Sequence, residues 1–190
     1  MHVGLFFGSF NPVHIGHMAI ANYMLNETDI DQVWMVLSPQ NPLKQKSSLL
    51  DQYHRLALLN LAIDDFPNIK SSKIEFDLPQ PSYTINTLAH LEELHPTHRF
   101  SLLLGQDNLQ TFDKWKNYEA ILARYHLYVY PRANASPGRF EQLPQVHLTK
   151  APIMEVSSTF IRESIKHKKD IRFFLPQKVW DEIDLMNFYK

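Results

Sequence analysis

Val3-Gly4-Leu5-Phe6-Phe7-Gly8-Ser9-Phe10-Asn11-Pro12-Val13-His14-Ile15-Gly16-His17-Met18-Ala19-Ile20 reads as a strand, a turn and the start of a helix. The apolar run Val3 to Phe7 suits a strand covered on both faces, and Gly8 lets the chain turn at its end. Beyond Pro12, the spacing of Ile15, Met18, Ala19 and Tyr23 is helical. Similar apolar runs recur at Val33 to Leu37, Phe100 to Leu104, His126 to Tyr130 and Val146 to Leu148, and Lys73 to Phe76 alternates like a further short strand. Between them lie helical segments: 53–61 behind a capping pattern at Ser48-Leu49-Leu50-Asp51, 82–94, 118–125, a helix capped by Ser157 or Ser158, and a last one with Pro176 at its first position. Strands alternating with helices imply crossover units. The expected fold is therefore α/β, a single doubly wound Rossmann-like domain over residues 1–190 with a mostly parallel sheet.

Composition narrows the function. The 190 residues suffice for one domain with a sizeable core, and 44% hydrophobic with 21% charged residues is ordinary for a globular protein. A formal charge of -1 argues against a nucleic-acid or anionic-membrane partner, so phosphate binding has to be local. With no cysteine there is no disulfide, thiolate nucleophile or Cys-ligated metal. No signal-like start and no apolar run of about 18 residues is present, which points to a cytoplasmic protein. A homo-oligomer is compatible with all of this, but nothing specifies one. The segment 133–143, with Pro137 and Gly138, reads as a loop.

In doubly wound sheets, ligands sit beyond the carboxyl ends of the strands, so the loops after Phe7, Leu37 and Leu104 are where chemistry is sought. The stretch after Phe7 is the densest. Gly16 leaves room at a helix start whose amides and dipole favour an anion. His14 and His17, three apart, can face the same side and donate to phosphate oxygens. A metal pair and a plain helix cap are the alternatives, though further metal ligands are missing nearby. Near the other end, Ser157, Ser158 and Thr159 offer hydroxyls and amides at a helix start. Arg162, about one turn on, can fork onto phosphate. The alternative is an ordinary cap with a solvated arginine.

Together these stretches resemble the two signatures of the nucleotidylyltransferase superfamily. Gly8 to His17 is similar to its HxGH motif, and Val156-Ser157-Ser158-Thr159-Phe160-Ile161-Arg162 to its ISSTxIR box, with Val for the leading Ile. Ser38 to Lys44, Pro81-Ser82-Tyr83-Thr84-Ile85-Asn86-Thr87-Leu88, Leu104 to Asn108 and Phe112 to Tyr118 resemble segments of the bacterial nicotinate-nucleotide adenylyltransferases. The likeness runs from Val3 to Ile165. It implies transfer of the adenylyl group of ATP to nicotinate mononucleotide, with Mg²⁺ carried mainly by the triphosphate.

His14, His17 and Arg162 would then be catalytic. Gly8, Ser9, Phe10, Gly16, Lys44, Gly105, Asp107, Ser157, Ser158 and Thr159 would hold ATP. Tyr83, Thr84 and Trp115 would hold the pyridine nucleotide, Trp115 by stacking and the helix start at Tyr83 and Thr84 by its amides. The resemblance implies no resident metal site. A sister transferase acting on nicotinamide mononucleotide or another phosphate acceptor is the rival enzyme reading. A non-catalytic nucleotide-binding module on the same fold is the rival of a different class.

Overall fold

In the computed structural model, which describes residues 1–39, 49–133 and 135–190, β1 (His2–Gly8) lies inside a six-stranded sheet. The other strands are β2 (Gln32–Leu37), β3 (Ile69–Ser72), β4 (Arg99–Gly105), β5 (His126–Tyr130) and β6 (Val146–Leu148). Their order is β3-β2-β1-β4-β5-β6, and every neighbouring pair is parallel. The sheet is thus wholly parallel, the doubly wound Rossmann-like arrangement. Strand order reverses between β1 and β4. Loops leaving their carboxyl ends diverge there and open a crevice.

The pleat sorts side chains between two cores. Phe6, Met35, Leu103, Tyr128 and Tyr130 face one side, where α1 (Ile15–Glu27), α2 (Gln52–Ile63), α6 (Ser158–Lys166) and α7 (Gln177–Leu185) bury Met24, Leu58, Ile161 and Val179. Val3, Leu5, Trp34, Leu102 and Leu127 face the other, against Leu88 of α3 (Thr84–Leu94), Leu109 of α4 (Gln106–Gln110) and Ile121 of α5 (Tyr118–Arg124). Burial on both faces is why β1, β2 and β4 read as continuous apolar runs.

Three local expectations are corrected, and one helix is added. Lys73 to Phe76 is not a strand: Ile74–Phe76 is a 3₁₀ turn, and the strand lies just before it as β3. β3 pairs only with β2, so as an edge strand it carries the polar sequence Ile69-Lys70-Ser71-Ser72 and no apolar run. The cap of α2 is Asp51, whose side chain accepts from the Tyr53 amide at 2.8 Å; Ser48 lies outside the described residues. Pro176 sits one position before its helix, as the cap, with an extended ψ of 141°. α4 was unanticipated, being five residues long and largely polar. The 133–143 segment carries no helix or strand among its described residues.

Candidate active site

The turn after β1 is shaped by close packing. Phe10 takes a positive φ of 42° and buries its ring against Phe6 and His17. A Cβ on Gly8 would meet that ring at 2.8 Å, so glycine is required there. Because the Phe10 ring belongs to the core, only its backbone is left to face a nucleotide.

His14 caps α1 and is 5% exposed; His17 stands three residues on. Their rings stack at 3.7 Å with a 29° angle between planes. The His14 amide donates to His17 Nδ1 at 3.2 Å, so in a neutral His17 the ring proton sits on Nε2. Burial, aided by the charge of Arg132, lowers the His14 pKa to about 3, so its imidazole is neutral at physiological pH. His14 Nδ1 has no hydrogen-bond partner among the described residues. A Cβ on Gly16 would come within 3.0 Å of that nitrogen, so Gly16 is the residue that admits the His14 ring.

α6 closes onto this turn. Ser157 caps α6, accepting from the Phe160 amide at 3.1 Å. Ser158 Oγ donates to the Pro12 carbonyl at 2.9 Å, and Arg162 Nη1 to the Asn11 carbonyl at 2.8 Å. Thr159 Oγ1 accepts from Arg162 Nη2 at 3.4 Å. Beside the phosphate-binding or capping roles the sequence suggests, Ser158 and Arg162 fasten the two signature stretches together across nearly the whole chain.

Beside the switch point lies a cavity of about 430 Å³ lined by Gly8, Ser9, Tyr83, Thr84, Gly105 and Trp115, six of the residues expected to bind substrate. Tyr83 caps α3, Thr84 begins it, and Trp115 is half-buried with its ring 4.9 Å from that of Phe112. Trp115 is therefore a packing residue on one side while it lines the cavity on the other. Asp107, in the first turn of α4, is exposed and lies 3.7 Å from Arg132 Nε. Lys44 lies outside the described residues.

Several residues to which the sequence assigns no site role lie here. Lys114 and Lys116 line the cavity, and Lys116 Nζ stands 4.4 Å from the centre of the Tyr83 ring. Both lie in the polar stretch around Trp115 and were legible as cations there. Glu75 also reaches the cavity, its carboxylate accepting from Ser82 Oγ at 3.0 Å and Thr87 Oγ1 at 2.9 Å, which braces the start of α3. Arg132 follows β5, at the strand ends where the switch-point rule directs attention. Arg55 is 1% exposed and donates to the carbonyls of Ser9 (2.7 Å), Ser38 (2.9 Å), Pro39 (2.9 Å) and Leu50 (2.8 Å). It joins the loops after β1 and β2, and no sequence pattern announces it.

Among the described residues, no group of three or more His, Asp or Glu side chains is placed to hold a metal ion. None of the described helices is long and apolar enough to cross a membrane.

A family model described as cytidylyltransferase-like matches residues 5–164. A protein of Flavobacterium psychrophilum, named "Probable nicotinate-nucleotide adenylyltransferase", is 58% identical over 192 residues covering 100% of both chains. A namesake in Flavobacterium johnsoniae is 55% identical with the same coverage. Among solved structures, Plasmodium falciparum nicotinic acid mononucleotide adenylyltransferase complexed with NaAD superposes with a TM-score of 0.83 at 20% identity, covering 99% of this chain and 97% of that one. The same enzyme complexed with APC gives 0.81 at 20% identity over 99% and 96%. At that identity the likeness establishes the fold.

Proposed function

The chain belongs to the nicotinate-nucleotide adenylyltransferase family, and on that premise we propose that it transfers the adenylyl group of ATP to nicotinate mononucleotide, forming nicotinate adenine dinucleotide and pyrophosphate. One observation carries the reading: the stacked pair His14 and His17, clasped by α6, packs on Phe6, which lines a cavity that combines a tryptophan, a helix start and two lysines.

An oxygen of the acceptor phosphate attacks the α-phosphorus of ATP; the new P–O bond forms as the bond to the bridging oxygen of pyrophosphate breaks. The acceptor is already an anion, so no general base is required. Catalysis consists of holding two polyanions in line and stabilising charge as it moves onto the leaving group. His17 supplies Nε2–H to the triphosphate near the reacting phosphorus, while neutral His14 and the first turn of α1 complete the cradle. Arg162, with the α6 start, holds the β- and γ-phosphates.

Trp115 stacks on the pyridine ring, and the α3 start with Lys114 and Lys116 receives its carboxylate. Mg²⁺ would come bound to the triphosphate and neutralise part of its charge; among the described residues no group of three or more His, Asp or Glu side chains is placed to hold it. The acceptor is tested by measuring pyrophosphate release with ATP and Mg²⁺, with nicotinate and nicotinamide mononucleotides in parallel. We expect kcat/KM to favour the nicotinate form by 100-fold or more, since a site built for a carboxylate is left unsatisfied by an amide (about 10²–10⁵). Equal rates would remove the carboxylate site from the account.

A further inference from the structure

Residues 186–190, which follow α7, turn back onto the loop between β1 and α1. Asn187 and Tyr189 both sit in the left-handed region, with φ of 54° and 64°. Non-glycine residues adopt that conformation at a cost, and it persists only where the surroundings over-determine it. Lys190 Nζ holds the turn to the end of α7, donating to the Asp184 carboxylate at 2.8 Å and to the side-chain carbonyl of Asn187 at 3.0 Å. The outcome is that Tyr189 packs against the α1–α2 core, and its hydroxyl donates to Asn11 Oδ1 at 2.9 Å. Burial pushes the phenol pKa up, so this group is a donor throughout the working pH range.

Asn11 is 3% exposed and is where four separate segments meet. Its Oδ1 also accepts from the Leu50 amide at 3.2 Å, ahead of α2, and its backbone carbonyl accepts from Arg162 of α6 at 2.8 Å. His14 follows three residues later through Pro12 and Val13, whose neighbours are equally fixed: Ser158 holds the Pro12 carbonyl, and Val13 is fully buried. A displacement of Asn11 is therefore passed to His14 rather than absorbed.

We propose that Tyr189 is a positioning residue for the β1–α1 loop, acting through Asn11 to fix where His14 and His17 stand. The kinetic part rests on the adenylyl-transfer reading; the part concerned with loop order does not. The bland rival is that Tyr189 merely anchors the end of α7 by packing.

Tyr189→Phe separates the two, because it keeps the ring and removes only the hydroxyl. Positioning predicts an unfolding midpoint near the wild-type value. It also predicts kcat lower by about 10-fold, a plausible penalty for loosening a catalytic geometry, with KM for nicotinate mononucleotide changed less than two-fold. Amide hydrogen exchange should speed up in residues 9–16 and stay unchanged in 52–63 and 177–185. The control Phe188→Leu, on a neighbour that packs on His54, should lower the midpoint without altering kcat. Wild-type kcat with unchanged exchange in residues 9–16 would overturn the proposal, as would faster exchange spread evenly over α2 and α7. If wild-type protein itself fails to turn over, the fault lies with the transfer reading, and the exchange measurement still decides the role of Tyr189.

Discussion

Both ends of β1 carry a histidine-centred polar cluster, and the protein completes only one of them. At the amino end, His2 is 6% exposed; its Nε2 lies 2.7 Å from Ser101 Oγ and its Nδ1 2.6 Å from Arg99 Nη2. Arg99 also pairs with Asp29 at 2.5 Å, and Tyr128 donates to the same carboxylate. Those bonds, Tyr128 first and Arg99 after it, lower the Asp29 pKa to about 2. At the carboxyl end, His14 is as deeply buried, yet its Nδ1 lacks a partner among the described residues. Buried polar groups are nearly always satisfied, so an orphan invites a functional explanation. The amino-end cluster locks β1, β4 and β5 together. The carboxyl-end pair packs on Phe6, a residue of the cavity wall, and on the proposed reading a phosphate supplies what the fold withholds.

The comparison can be broken or sharpened by substitution. Arg55 is the strongest test, because it lies at the functional end yet is wholly satisfied, and so should behave as scaffold. Arg55→Met removes the donor shared by four carbonyls and should destabilise the protein by about 3–5 kcal/mol in chemical unfolding. A loss of activity at unchanged stability would place Arg55 in the chemistry instead. Next comes His17→Ala, for which we expect kcat to fall by about 100-fold or more, with the unfolding midpoint little changed. Near-normal kcat would exclude His17 from the reacting centre.

The third test uses pH. The pKa of His14 is depressed in the folded state, so the unfolded chain binds the extra proton between about 3 and 6.5. The stability that neutral His14 allows is therefore complete above pH 6.5 and is lost as pH falls towards the folded value of about 3. Between pH 6.5 and 5 this amounts to roughly 2 kcal/mol. His14→Asn should flatten the decline of unfolding free energy over that interval, and an unaltered slope would mean that His14 is not held neutral. The smallest expected effect is at the other end. His2→Leu should cost about 1–2 kcal/mol of stability with kcat and both KM values unchanged; a kinetic defect would show that the two ends are coupled.

How much of this was legible beforehand depended on what each residue's neighbours were. β1, β2, β4 and β5 announced themselves because strands buried on both faces are runs of apolar residues. β3 did not, because an edge strand has no such pattern, and α4 is too short to show a period. The signature stretches located His14, His17, Ser158 and Arg162. What they could not convey is that Ser158 and Arg162 bond to the backbone of residues 11 and 12, nor that Gly16 exists to admit a histidine ring. Arg55, Glu75 and Tyr189 were invisible for a common reason. Each acts through contacts that no motif encodes, from separations of 7 and 12 residues for Glu75 to 178 for Tyr189, and only the folded chain brings those partners within hydrogen-bond distance.

The account turns on which oxygen attacks which phosphorus. The most direct measurement supplies nicotinate mononucleotide carrying ¹⁸O in its phosphate and follows the label by mass spectrometry. Attack on the α-phosphorus of ATP predicts that all the label stays in the dinucleotide, one atom as the new bridge, and that the pyrophosphate is unlabelled. Label in the pyrophosphate, or pyrophosphate formed without a dinucleotide, would contradict it.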